Sequence, residues 1–501
     1  MSQDSYAVHW FRRDLRVAGN PALSRMLKEY DGRVVGIFCF DKKFLSRADF
    51  SHARFQFFLN TLASLRDELQ ALGSDLMFCD QGPDEAFEQL FKQLRKSGKA
   101  LPQSLSWNRD YEPYAIERDE RLQKFFHSES VHTATERDHA LIEPHEIVKS
   151  TKPIGPYQIF TPYSKKWMDQ FRTEEVMGRL DQQKKGFSYL RKVKKGNVEK
   201  VYNWNWKKVL DKDGSAGWEI FEDYSQKNQK LVTIEIPEAG TRAILAQLEH
   251  FRQRMDDFAE ARDIPSLDGT SRFSIYFKNG SLTSAQAIAY YELHKKPKLT
   301  KGEAKFLSEL IWREFGYYIL TKHPRVEGEA FDDRFKTIDW GNREDWFEAW
   351  KAGKTGYPIV DAGMRQLNET GWMHNRVRMI VASFLTKDLH INWQWGEKYF
   401  MDKLIDGDLA LNNMGWQWAA STGCDAQPYF RIFNPSLQSK KFDPDAKYIK
   451  EFVPELQNVA AKAIHNLTEL TRPRAYPAPI VSHDKQRLLA LELYKVKAKR
   501  Q

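Results

Sequence analysis

Cysteine is scarce. Cys39, Cys79 and Cys424 are the only three in 501 residues, with no CxxC pair, which excludes a disulfide framework and a thiolate metal site. They read as reduced, mostly buried thiols of a cytosolic protein. No stretch approaches the roughly 20 apolar residues of a spanning helix, and the polar start Met1-Ser2-Gln3-Asp4-Ser5 is not a secretory leader. No HExxH or His/Asp/Glu cluster occurs, so no metal site is expected, and there is no nucleophile elbow or Cys–His motif. GxGxxG does not follow the first strand-like run and GxxxxGK(S/T) is missing, which removes the usual dinucleotide and P-loop readings. Hydrolytic and metal chemistry are thereby disfavoured, and a large aromatic cofactor is the better reading.

Aromatic residues are plentiful. They make up 13% of the chain within a hydrophobic fraction of 41%, enough for two substantial cores. Lys and Arg number 77 against 68 Asp and Glu, and the net charge of +9 permits a polyanionic partner without requiring one. Nine of the 15 Trp lie after residue 300, and none lies between Trp218 and Trp312.

Short apolar runs at Ala7 to Phe11, Val34 to Phe40, Asp75 to Cys79 and Ser104 to Trp107 alternate with helical patterns such as Phe55 to Ala71 and Pro83 to Arg95. This spacing predicts a parallel, Rossmann-like sheet with helices on both faces over residues 1–135. Residues 136–215 carry Pro144, Pro153, Pro156 and a basic run from Lys184 to Lys195, and read as a surface connection between domains. From 216 to 501 the pattern is helical, with Ile244, Leu248, Phe251, Met255 and Phe258 on one stripe before Pro265. An α/β domain followed by a larger all-α domain is expected.

Three segments concentrate unusual residues. In Glu309-Leu310-Ile311-Trp312-Arg313, Glu309 and Trp312 share a helix face suited to a flat polar ligand. Taken alone, the segment reads better as an amphipathic helix with a Glu309–Arg313 pair. In Trp372 to Met379, Asn375, Arg378 and Met379 share one face with Arg376 rotated away. That face would suit an aromatic ligand with an anion nearby, or equally a structural Arg at a helix start. The segment Asp406 to Asp425 is too polar and too aromatic for a packing helix, and Trp416 and Trp418, two apart, would point in opposing directions.

Long strings then become recognisable. His9-Trp10-Phe11-Arg12-Arg13-Asp14-Leu15-Arg16, Gly269-Thr270-Ser271-Arg272-Phe273-Ser274, Thr355 to Arg365, Trp416 to Gly423 and Tyr429 to Pro435 resemble the photolyase/cryptochrome family, specifically its bacterial class I-like cyclobutane-dimer DNA photolyases. The resemblance covers nearly the whole chain. It implies an N-terminal domain for an antenna chromophore and a helical domain holding FAD. Thr270, Ser271, Arg272 and Ser274 match the turn that grips the FAD pyrophosphate, where hydroxyl and N–H donors suit an anion. Arg378 and Asp406 match a pair beside the flavin ring, Asp408 a second acid near its edge, and Asn412 the residue facing flavin N5. Trp416, Trp393 and Trp340 match the electron-hopping chain. Glu309, Trp312, Asn375, Met379 and Trp418 match the substrate pocket, and Arg262 and Arg376 match contacts to the phosphates of UV-damaged DNA. Glu309, Asn412 and the three Trp of the chain are the residues expected to carry the chemistry.

Phe258 stands where members often carry a phosphate-binding Tyr, and Phe273 replaces a Leu. Tyr111-Glu112-Pro113-Tyr114-Ala115 lacks the Asn–Glu pair of folate-binding members, so the antenna is left open among a folate, a deazaflavin, a flavin and none. The activity the resemblance implies is light-dependent repair of cyclobutane pyrimidine dimers by a cytoplasmic monomer. A blue-light cryptochrome is the main alternative. A (6-4) photolyase would be expected to carry His at Asn375 and Met379. A single-strand binding module would explain the charge and the aromatics, but not Asp406, Asn412 and the pyrophosphate turn together.

Overall fold

The computed structural model describes residues 5–149, 154–194, 201–210 and 217–498. Five parallel strands, β1 (Ala7–Phe11), β2 (Val34–Cys39), β3 (Leu76–Cys79), β4 (Ser104–Asn108) and β5 (His132–Glu136), form a sheet in the order β3-β2-β1-β4-β5. Four of them follow the expected apolar runs, because parallel strands are covered on both faces and need no alternation. The fifth, His-Thr-Ala-Thr-Glu, carries no apolar run. It lies on the sheet edge, pairs with β4, and leaves His132 and Thr133 exposed. Strand order reverses between β1 and β4, and the C-terminal strand ends there form the crevice in which such sheets take ligands.

Residues 136–215 differ from the expected surface connection. The helices Phe160–Phe171 and Glu174–Lys194 bury Tyr163, Trp167, Phe171, Val176 and Leu180 in the same core as Leu248, Phe251 and Phe315. Trp206 packs back under the sheet domain and donates its indole N–H to Gly36 O at 2.7 Å. Its turn formers punctuate the stretch without emptying it of apolar side chains. Lys195, at the end of the basic run, lies outside the described residues.

Beyond residue 217 the described residues are helical with no strand. The stripe Ile244 to Phe258 is broken into the helices Gly240–Arg252 and Phe258–Ala261 by a turn, yet all five side chains reach one core. The helix Asn375–Ser383 passes into a π-helical turn, Phe384–Asp388. Among the described residues, no helix is long and apolar enough to cross a membrane.

Candidate functional site

A cavity of about 340 Å³ opens between the helices of the second domain. Its floor begins at the turn Thr270 to Ser274, where all four expected residues line the space. Gln247 pins this turn by donating to Ser271 O at 2.9 Å. Phe273, facing inward, anchors it among Phe251, Phe277 and Phe306. Arg272 sits in the left-handed region at φ 50°, a conformation that costs a side-chain-bearing residue about 1–2 kcal/mol. It lays its guanidinium over the Trp372 ring at 4.6 Å. A strained cation at a turn of hydroxyls is a fitting cradle for a diphosphate.

The second wall is the helix Asn375–Ser383. His374 caps it, its Nδ1 accepting from Arg376 N at 3.2 Å, which requires an unprotonated nitrogen. Burial, reinforced by Arg262, Arg378 and Arg376, pushes the His374 pKa down to about 4 and keeps it neutral. Arg378 donates to Met373 O at 2.8 Å and to both oxygens of Asp406 at 2.9 and 3.1 Å, so the expected pair is formed on the cavity wall. Asn375 and Met379 line the same side.

Asp408 and Asn412 complete the lining from the helix Leu409–Ala420. Asn412 donates to Glu397 O at 2.9 Å, which fixes its amide. Asp408 caps the helix through Leu411 N at 3.2 Å. It also accepts from Arg13 at 2.8 Å and from the Tyr317 hydroxyl. Its carboxylate thus serves the seam between the domains as well as the cavity. Trp416 closes the wall, edge-on to Phe400 at 4.9 Å and to Trp350 at 6.1 Å, and its buried indole nitrogen has no hydrogen-bond partner among the described residues. Trp393 is buried in the same core, and Trp340 packs at its margin beside Tyr494 at 6.2 Å.

The expected substrate residues divide. Glu309 lies at the rim, bound to Arg262 at 3.1 Å and Lys305 at 2.9 Å. The alternative Glu309–Arg313 pair is not the arrangement adopted, because Arg313 turns inward to His139 O at 3.1 Å. Trp312 and Trp418 do not line the cavity. The Trp312 ring stacks on Phe160 at 3.6 Å and 6°, and Trp418 packs edge-on to Phe433. Trp372 joins Trp416 as an indole on the wall; its stacking on Arg272 depends on a backbone conformation that spacing cannot show. Arg376 is held off the cavity by Asp263 at 2.9 Å and covers Phe442 at 4.3 Å, while Arg262 lines the rim.

A second cavity, also about 340 Å³, lies at the strand ends of the sheet. Trp10, Phe38, Phe40, Phe55 and Phe58 make its apolar interior, and Arg47 and Arg54 are among its charged residues. Phe44 and Tyr114, in edge contact at 5.9 Å and both substantially exposed, stand at its edge. One turn of the helix Trp393–Lys403 and the loop after it divide the two cavities, with Phe400 and Leu404 facing the first and Met401 and Ile405 facing the second. Arg54 locks this partition from the sheet side by donating to Leu404 O at 3.0 Å.

An α/β sheet with a cavity at its switch point, joined to a helical domain with its own cavity edged by Thr270, Ser271, Arg272 and Ser274, defines a two-domain protein with room for two ligands. Residues 7–181 match the family described as DNA photolyase, and residues 306–496 match the FAD binding domain of DNA photolyase. The deoxyribodipyrimidine photo-lyase of Vibrio cholerae is 38% identical over 97% of this chain and 98% of its own. A class III photolyase from Agrobacterium tumefaciens superposes with a TM-score of 0.79 at 30% identity, covering 100% and 99% of the two chains. An archaeal photolyase from Sulfolobus tokodaii, solved with two FAD molecules, gives 0.77 at 31% identity over 98% and 99%. The chain belongs to the DNA photolyase family.

Proposed function

We propose that the protein repairs cyclobutane pyrimidine dimers in UV-damaged DNA under blue light, with FAD in the helical-domain cavity. One observation carries the reading: the cradle Thr270 to Ser274, the Arg378–Asp406 pair, Asn412 and the rim residues Glu309, Asn375 and Met379 converge on a single open cavity. A flavin held there, reduced and excited by light, would supply the one-electron chemistry for opening the dimer.

The chain's own residues hold and orient. Thr270, Ser271, Arg272 and Ser274 bind the diphosphate, and Arg378, neutralised by Asp406, fixes the ring. Asn412 presents a neutral amide, so a reduced anionic ring would meet no like charge there. Glu309 offers acceptor oxygens at the cavity rim to the edge of a flipped-out base. Trp416, with Trp393 and Trp340 beyond it, provides oxidisable rings through which the flavin is reduced. The second cavity is the place for a light-harvesting chromophore.

The test is to illuminate purified protein carrying fully reduced FAD with a UV-damaged oligonucleotide and to follow dimer loss. Light-dependent loss is expected. Its absence with reduced flavin bound overturns the reading in favour of a blue-light photoreceptor.

A further inference from the structure

The helix Ser274–Asn279 starts at the diphosphate cradle and ends between the two cavities. Lys278, on its last turn, lines both, and among the described residues it alone does so. Its ammonium lies 3.6 Å from Glu112, on the wall of the sheet-domain cavity, and 3.9 Å from Asp408, on the wall of the flavin cavity. Both separations exceed a direct hydrogen bond, so the charge is shared between the two carboxylates.

Arg13 bridges the same two acids but is immobilised. Its guanidinium donates to Tyr317 and Asp408 at 2.8 Å, to Lys278 O at 3.2 Å and to Glu112, with His139 at 3.3 Å. The Lys278 ammonium has no such set of fixed partners. Burial, with Arg13 adding to it, lowers its pKa, so its charge depends on the acids beside it.

We propose that Lys278 couples the two cavities, so that a change in charge on the wall of the sheet-domain cavity alters the redox equilibrium of the flavin in the other. Lys278 is a positioning residue here, acting through Asp408. The coupling rests on the flavin assignment of the helical-domain cavity. It is reciprocal: the redox state of the flavin biases which acid the ammonium favours, and hence what the second cavity binds.

A double-substitution cycle on the full-length, flavin-loaded protein tests this, read as the midpoint potential of the bound flavin. Glu112→Gln, which touches only the second cavity, is expected to shift the oxidised-to-reduced ratio at fixed potential at least threefold. The shift should fall to less than half that size in a Lys278→Met background and persist with Lys278→Arg. Phe44→Leu, on the same cavity wall away from the bridge, should leave the potential unchanged. An undiminished Glu112→Gln shift without Lys278 assigns the coupling to Arg13 and overturns the proposal, as does no shift from Glu112→Gln alone. Should Lys278→Met lose flavin, the cycle is closed with Lys278→Gln under the same criteria. Failure of the unsubstituted protein to hold flavin would overturn the flavin assignment itself, a separate outcome.

Discussion

Arg13 and Asp408, 395 residues apart in the chain, meet at 2.8 Å across the seam between sheet and helices. The pair joins the loop after β1 to the first turn of the helix that carries Asn412 and Trp416. It is one of several contacts that hold the helical cavity against the sheet, beside Arg54 on Leu404 O and Arg16 on Gly280 O.

Burial works against the Asp408 charge, but Lys278, Arg13 and Arg313 outweigh it and hold the carboxyl below its ordinary range. With the folded pKa below an unfolded value of about 4, its stabilisation is whole at neutral pH and fades only as pH falls below that value. Asp408→Asn keeps a good helix cap and removes the ion pair, at an expected cost of about 3 kcal/mol. Urea midpoints at pH 7 and pH 3 check this: the gap from wild type should narrow at the lower pH.

His374 has the same sign by a different route. Its folded pKa of about 4 lies below the unfolded value of roughly 6.5. Its contribution is whole above pH 6.5 and lost as pH falls toward 4, at about 1.4 kcal/mol for each pH unit crossed between the two values. His374→Asn retains a capping acceptor without titrating there. Melting temperature should decline less steeply between pH 6.5 and 4.5 in the variant.

Glu397 runs the other way. Burial, opposed by a hydrogen bond from Asn413, raises its pKa to about 8. The stability linked to it is whole below about pH 4 and lost as pH rises through 8. Glu397→Gln is expected to be the more stable protein at pH 8.5, by about 1–2 kcal/mol, in denaturant unfolding.

Arg272→Gly should separate stability from binding. Relief of the left-handed conformation offsets the lost contact with Trp372, so the melting temperature of the flavin-free protein should hold or rise. Flavin affinity, measured by fluorescence, should weaken at least tenfold, about 1.4 kcal/mol.

Trp416 is seated on Gly396, where an added Cβ would overlap the indole ring. Gly396→Ala and Trp416→Phe are both expected to slow light-driven reduction of oxidised flavin by tenfold or more. Dimer repair by pre-reduced protein should stay within about threefold for Trp416→Phe, where no bulk is added (about 0.7 kcal/mol). Equal loss of both activities in transient absorption and repair assays would contradict the separate role of this indole.

What could be read beforehand follows physical lines. β1 to β4 are apolar runs because both faces are covered, and β5 escaped because only Ala134 of its five residues is buried. The turn Thr270 to Ser274 was legible as one contiguous string, whereas the Arg378–Asp406 pair, 28 residues apart, came only from the family resemblance. Trp312 and Trp418, which the resemblance assigns to the substrate pocket, lie outside the lining of the first cavity, and neither spacing nor a motif states what a helix face will meet. Phe160 covers Trp312, and Trp372 takes the cavity wall in its place.

The sequence by itself determined the two-domain plan, the family and most of the flavin cradle, since these rest on periodicity and on contiguous motifs. Only the tertiary structure decided that Arg13 serves Asp408, that Lys278 stands between two cavities, and that Arg262 is paired with Glu309 at the rim. These contacts join residues far apart in the chain. Each charge had several possible partners, and the choice among them was made by which groups packing brought together.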